Sequence, residues 1–348
     1  MALVKVKERG KLDSDLHGKG RNLLVNGNCE FWQRGTSYTG TSAAMRCDRW
    51  RTTQSGSGLG TYTMERSTDV PSEWSDRYSI KFTNGNALTH TADQFIDFRQ
   101  DIEGFRYAPT RHGRTSAQQT TLSFWVKSSL TGQFACSQAI LQNDTAKYTI
   151  VQPYTISAAD TWEKKTVTFA AFPTNSYHNG SSYAARVGFS LGAGSNRVGT
   201  ANTWTAVASD SSNFIIAGDV AWKATNGATW YITGIQLEVG TEATNFDRKM
   251  YSEQQEEAYR YYQIVAGGGA GTATGANQSA SAQTALNFPV AMRQTPNVTI
   301  GSTSSTSNTS SVNVVNISND RARCAAASQS SGRQYWFVES ITLDADNI

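Results

Sequence analysis

The sequence predicts an all-β protein: a jelly-roll β-sandwich, followed by one short helix and a smaller C-terminal β domain. Three observations carry that expectation. Of 348 residues, 38% are hydrophobic and 17% charged, and the Glu, Lys and Leu that propagate helices are scarce. Thr, Val, Tyr, Phe and Trp recur instead, and these suit a pleated, half-buried surface. Apolar and polar residues also alternate in short runs separated by Gly, Asn, Asp and Ser, which is the period of strands with one buried face. No βαβ alternation is present, and no period of 20–50 residues recurs, which excludes β-helices, propellers and solenoids.

Residues 1–21 form a basic arm. Lys5, Lys7, Arg9, Lys11, Lys19 and Arg21 face only Glu8, Asp13 and Asp15. The whole chain carries +3, so the remainder is neutral. A neutral body argues against a nucleic-acid-binding domain, which would show a basic face. The arm has no amphipathic period and too little apolar surface to fold alone. It reads either as a disordered tail or as a segment that orders on a partner. In the second case Lys5, Lys7, Arg9 and Lys11 meet an acidic surface, and Leu3, Val4 and Val6 supply the grip.

Residues 22–248 form the sandwich. Ile80 and Phe82 share one face of a strand, and Leu122, Phe124 and Val126 alternate with Ser123, Trp125 and Lys127. Val167 and Phe169 alternate with Thr166 and Thr168, and Tyr231, Thr233, Ile235, Leu237 and Val239 line one face of the last long strand. One-sided apolar strands of this kind pack as two facing sheets. Residues 249–266 are expected to link the domains through a helix over Ser252–Val265. Ser252 and Gln255 form its capping box, and the Gly267–Gly271 run stops it. Residues 267–348 form the C-terminal unit, with strands at Val298–Ile300, Val312–Ile317 and Tyr335–Leu343. The Ser/Thr/Asn stretch Ser302–Ser311 is expected to be a long hairpin loop.

Catalytic and metal-binding patterns are scarce in the sequence. Cys29, Cys47, Cys136 and Cys324 are widely spaced, with no zinc pattern, and read as small buried hydrophobes. There is no G-x-S-x-G, H-E-x-x-H or Walker motif. The Gly192–Gly199 stretch lacks the lysine and following helix of a phosphate loop. His17, His90, His112 and His178 have no ligand or catalytic spacing. Asp97, Asp101 and Glu103 read as a polar strand end or a calcium-friendly loop rather than as glycosidase carboxylates. No apolar run reaches the ~20 residues of a membrane helix, and the start of the chain lacks the apolar core of a signal peptide. No enzyme, cofactor or metal site is expected.

Binding is better supported. The 9 Trp, 14 Tyr and 14 Phe exceed what two modest cores need. Trp125 falls on the polar face of its strand, where an exposed indole is expected to be covered by a subunit or ligand. Tyr177, His178 and Trp204 lie in polar loops suited to stacking on sugars, with ordinary loop packing as the alternative. The helix carries tyrosines on more than one face and is too short to stand alone. The C-terminal unit is also short of core. Tyr259, Tyr261, Tyr262 and Trp336 are therefore expected to make contacts in a homotrimer.

Three stretches resemble the tail-fibre and related appendage proteins of tailed bacteriophages. The first runs from Asn22 to Gly35, including Asn26-Gly27, Phe31-Trp32-Gln33-Arg34-Gly35, and is followed by Asp48-Arg49-Trp50. The second is Trp230–Gly240 closing at Ala243–Phe246, and the third is Glu256–Gln263. Together they bracket residues 22–264. Ala258 departs from the cysteine frequent in relatives, and the arm is shorter than the shaft or anchor of longer fibres. The resemblance implies a non-enzymatic virion protein assembled in the host cytoplasm. It would be a short tail fibre or tail-attached receptor-binding subunit, with other virion proteins and a host-surface glycan or envelope component as partners. A head fibre or capsid decoration protein is the alternative. Apart from the resemblance, Arg34, Asp48 and Arg49 read as a structural ion-pair cluster beside Trp32 and Trp50, where guanidinium groups stack well.

Overall fold

A computed structural model describes residues 21–142, 145–172, 179–207, 213, 215–273 and 283–346. Lys5, Lys7, Arg9 and Lys11 of the arm, together with Tyr177 and His178, lie outside the described residues. The chain divides into two compact units. One contains the chain up to Glu30, Ser37–Ala43 and Arg51–Arg248; the other contains Phe31–Thr36, Ala44–Trp50 and Lys249–Ile348. The two short segments around Arg34 and Asp48 therefore belong with the C-terminal residues, whereas the sequence pattern places them in an unbroken sandwich.

The first unit is a sandwich of two antiparallel sheets, as expected. One sheet orders its strands Ser37–Gly40, Tyr62–Ser67, Ser79–Asn84, Thr229–Val239, Thr120–Ser128 and Glu163–Phe169. The other runs Thr205–Ala206, Thr145–Ile156, Gly132–Gln142, Tyr183–Ala193, Phe95–Glu103 and Arg51–Ser55. Aromatic rings fill the space between them. Phe82 and Phe98 meet edge to face at 5.2 Å, Phe124 meets Phe189 at 4.9 Å and Tyr154 at 5.1 Å, and Trp230 lies 5.8 Å from Phe82. Edge-to-face packing at these separations adds to the burial term. Ile80, Phe82, Leu122, Phe124, Val126, Val167, Phe169, Ile235 and Leu237 are all buried. The register expected for Phe124 and Trp125 holds, because Phe124 is fully buried while Trp125 is only half-buried.

The last long strand departs from simple alternation. Its pairing with Thr120–Ser128 slips between Thr233 and Gln236, and Gly234 in the slip has a left-handed φ of +63°. A bulge of this kind moves one stretch of side chains to the other face. Trp230 and Ile232 consequently join Ile235 and Leu237 in the core, and Tyr231 stands half-buried opposite Lys127 and Lys81. A single face from Tyr231 to Val239 is therefore not formed.

The opening string packs along this strand. Leu23 N–H donates to Leu237 O, and Ile235 N–H donates to Gly27 O. The Asn22 side chain donates to Ile235 O and accepts from Leu24 and Leu237 N–H. Gly27 is needed for this approach, because a Cβ there would lie 2.0 Å from Ile235 O.

The second unit is a smaller pair of sheets. Gly332–Asp344 pairs with Tyr262–Ala273, Asn297–Ile300 and Thr303–Ser307. Arg321–Ser328 pairs with Gln283–Asn287 and Thr309–Val315. Their core contains Leu286, Phe288, Met292, Trp336, Ile341 and Leu343, with Cys324 among them. Two expectations are corrected here. Ser302–Ser311 is strand for most of its length, turning at Asn308 in a left-handed conformation. The helix covers Tyr251–Tyr259 only. Its start is closed by Glu253, which accepts from Met250 N–H at 3.2 Å, rather than by a Ser252–Gln255 box. Residues from Tyr262 through the glycine run are extended because they pair with Gly332–Asp344; a full partner strand outweighs the weak helical preference of Tyr, Ile and Val.

Candidate functional site

The outer face of the six-stranded sheet gathers aromatic rings and cations. Trp125 faces Lys164 on one neighbouring strand and Thr233 on the other. Gly234 lets two indoles close over the strand: a Cβ there would lie 2.9 Å from Trp74 and 3.1 Å from Trp125. Trp74 meets Phe246 edge-on at 4.9 Å and is overlaid by Arg248 at 4.6 Å. Two residues along from Trp125, Lys127 Nζ sits 4.3 Å from the Tyr231 ring centre and 5.4 Å from that of Trp162. Trp162 and Tyr231 are 6.0 Å apart. Asp69 ties this group together, accepting from Trp162 Nε1 at 2.9 Å and pairing with Lys127. Burial alone would raise the Asp69 carboxyl, but these two hydrogen bonds hold it below its ordinary value. The result is a row of half-exposed rings, fixed by a paired base and acid, of the kind that stacks on the apolar face of a sugar ring.

Trp204 is placed differently. Its ring packs against Phe172 at 5.0 Å and its Nε1 donates to Ala170 O at 2.9 Å. Ordinary loop packing accounts for it. Tyr261, Tyr262 and Trp336, expected at subunit contacts, are already buried by their own chain. The pleat turns Trp336 inward and leaves its neighbours Tyr335 and Phe337 outward, 48% and 42% exposed. Tyr259 is half-buried, with its hydroxyl accepting from Gln255.

Asp97 and Asp101 lie within a strand rather than at a strand end or in a loop. Their face points away from the sandwich core and is buried. Asp101 accepts from Arg186 Nε at 2.5 Å and Arg51 Nη2 at 2.8 Å. Burial would raise its carboxyl, but Arg186, Arg51 and Arg99 hold it far below the usual range. Asp97 and Arg99 approach each other only at 3.5 Å. Burial accordingly dominates there, pushing the Asp97 carboxyl up and the Arg99 guanidinium down. Among the described residues no group of three or more His, Cys, Asp or Glu is arranged to hold a metal ion. All four cysteines are buried.

In the second unit, Arg34 reaches Asp346 at 2.8 Å, Asp344 at 3.1 Å and Asp48 at 3.5 Å, and Arg49 pairs with Asp346. The guanidinium groups stack on Tyr262 at 3.8 Å and Tyr261 at 3.7 Å. The ion-pair cluster read from the sequence is present, and Tyr261 and Tyr262 are among its stacking partners. Gln33 Nε2 donates both to Asp48 and to Tyr262 O. This cluster closes a structural joint within the unit.

The Trp125 row is legible in the sequence only in part. Alternation alone misses Tyr231 and Trp162, because the bulge reverses the former and a strand end presents the latter. Gly234 inside an alternating run is the signal that reveals the slip.

The chain is thus a β-sandwich protein of jelly-roll type. No protein family matches it, and no curated protein does. Among solved structures it is similar to the enzymatically active domain of bacteriophage CBA120 tailspike protein 4, at 14% identity and a TM-score of 0.35, covering 63% of this chain and 22% of that one. It is also similar to an arabinose-bound GH51 α-L-arabinofuranosidase, at 10% identity and a TM-score of 0.34, covering 70% and 30%. A third is TmCBM61 in complex with β-1,4-galactotriose, at 11% identity and a TM-score of 0.31, covering 63% and 99%. The matched region spans less than a third of each of the first two chains.

Proposed function

We propose that this chain is a non-enzymatic structural protein of a bacteriophage particle, a short tail fibre or tail-attached receptor-binding subunit whose sandwich holds a host-surface glycan. The observation that carries the binding part is the outward row of Trp125, Trp162 and Tyr231 beside Lys127. Half-exposed rings held by a paired base and acid are costly to leave in water and suited to a sugar's apolar face. The particle assignment rests on the three stretches that resemble tail fibres. Two of them, the Asn22 string and the Trp230 strand, pack against each other as one structural element. The basic arm would anchor the protein to an acidic virion surface. The outward Tyr335 and Phe337 would meet symmetry mates in a homotrimer.

The test is location. Cryo-electron microscopy of particles carrying a tagged copy should show density in six- or twelve-fold positions around the tail. Density at icosahedral positions on the head would make it a head fibre or decoration protein instead. Absence from purified particles would overturn the assignment.

A further inference from the structure

The outer face of the six-stranded sheet continues past its aromatic row toward the opposite edge. Cross-strand pairing places Lys81 beside Tyr231 and Glu65 beside Lys81. Two residues along each of these strands, the next outward row is threonine: Thr39 pairs with Thr63, Thr63 with Thr83, and Thr83 with Thr229. Thr39 is exposed, and Thr63, Thr83 and Thr229 are half-buried. The Thr39 and Thr63 hydroxyls share a hydrogen bond at 2.8 Å, while those of Thr83 and Thr229 make none with the described residues. Neighbouring strands lie about 4.8 Å apart, so the line that crosses all of them from Thr39 to Trp162 is about 24 Å long. Charge along this line is balanced within the protein. Lys81 meets Glu65 at 2.9 Å, and Lys127 pairs with Asp69.

We infer that this face takes an internal stretch of a linear, uncharged polysaccharide laid across the strands, rather than a single terminal sugar. The inference rests on the glycan reading above and names the kind of glycan. Trp162 and Tyr231, 6.0 Å apart, anchor the apolar faces of sugar rings at one end. From Tyr231 onward the threonine row carries the chain. Each hydroxyl can donate or accept, so the row matches sugar hydroxyls of either role. A terminal sugar needs contacts from several sides, whereas the contacts here come from one side and follow one line. An acidic polymer would need cations free to meet it, and both lysines on the line already hold carboxylates.

The test is calorimetric titration of the full chain with fragments of the host's purified surface polysaccharide, cut by mild acid and sorted by length. Affinity should rise about tenfold or more from disaccharide to pentasaccharide and then level off, and added salt should change it little. Threonine also favours strands, and Thr–Thr pairs stabilise sheets, so the variants are Thr63→Val and Thr83→Val. Valine keeps the shape and the strand preference and removes only the hydroxyl. Each variant should erase most of the gain with length, whereas Trp162→Ala should weaken fragments of every length. Thermal unfolding checks the fold, and Thr39→Val at the exposed edge repeats the test if an inner variant fails to fold. A disaccharide bound as tightly as a pentasaccharide, full length dependence in the folded valine variants, or steep loss of affinity with salt would overturn this inference and leave the glycan reading standing. Failure of every fragment to bind the wild-type protein would overturn both.

Discussion

The Arg34 guanidinium carbon lies 3.8 Å above the centre of the Tyr262 ring, joining the N-terminal Trp-Gln-Arg-Gly string to the strand that follows the helix. The same group faces Asp48, Asp344 and Asp346. Removing a buried charge partner leaves others uncompensated and typically costs about 3–5 kcal/mol. Arg34→Met should destabilise the second unit by that order. Arg34→Lys should recover only part of it, because an ammonium cannot stack and fork at once. Denaturant titration of the two variants checks both statements.

Asp48 gives that cluster a pH dependence. Burial raises its carboxyl to about 6, against the opposing charge of Arg34, which is shared with two other carboxylates. With a folded value above the ordinary 3.8, its contribution to stability is full below about pH 4 and is lost as pH rises through 6. Asp48→Asn should remove this component of the stability profile between pH 4 and 6. An unchanged difference between pH 4 and 6 in the variant would contradict the assignment.

Lys223 supplies the opposite case in the sandwich. Its ammonium is buried and donates to Thr61 O and Asn84 Oδ1, both neutral. Burial lowers it to about 8 from 10.5. Between those values the unfolded chain binds the extra proton, so stability should rise with pH over this interval. Lys223→Met should flatten that rise in unfolding curves taken from pH 7.5 to 10, and a persistent slope would point to another group.

Gly27→Ala is expected to be severe. Its Cβ would lie 2.0 Å from Ile235 O, where the opening string meets the bulged strand. A loss of at least about 2 kcal/mol is the scale for such a backbone collision, and a wild-type melting temperature would contradict the packing described.

Much of this architecture is legible in residue order. Alternation locates the strands around Phe82, Phe124 and Phe169, and the orientation of Trp125, because one face of each is apolar. It fails where a non-local partner decides the outcome. The glycine run after Tyr262 is strand because Gly332–Asp344 pairs with it, and no local signal encodes that pairing. Asp97 and Asp101 read as a strand end because charges inside a buried strand are unusual. Their alternation with Ile96, Phe98 and Ile102 is the sign that they belong to one face.

The binding claim is tested most directly on host cells. Fluorescently labelled protein should bind cells of the bacterial host, as read by flow cytometry. Trp125→Ala and Trp162→Ala should each lower that binding about tenfold or more, the scale expected when an aromatic anchor is removed from an interface, while the sandwich stays folded. Wild-type binding retained by both folded variants would contradict the account.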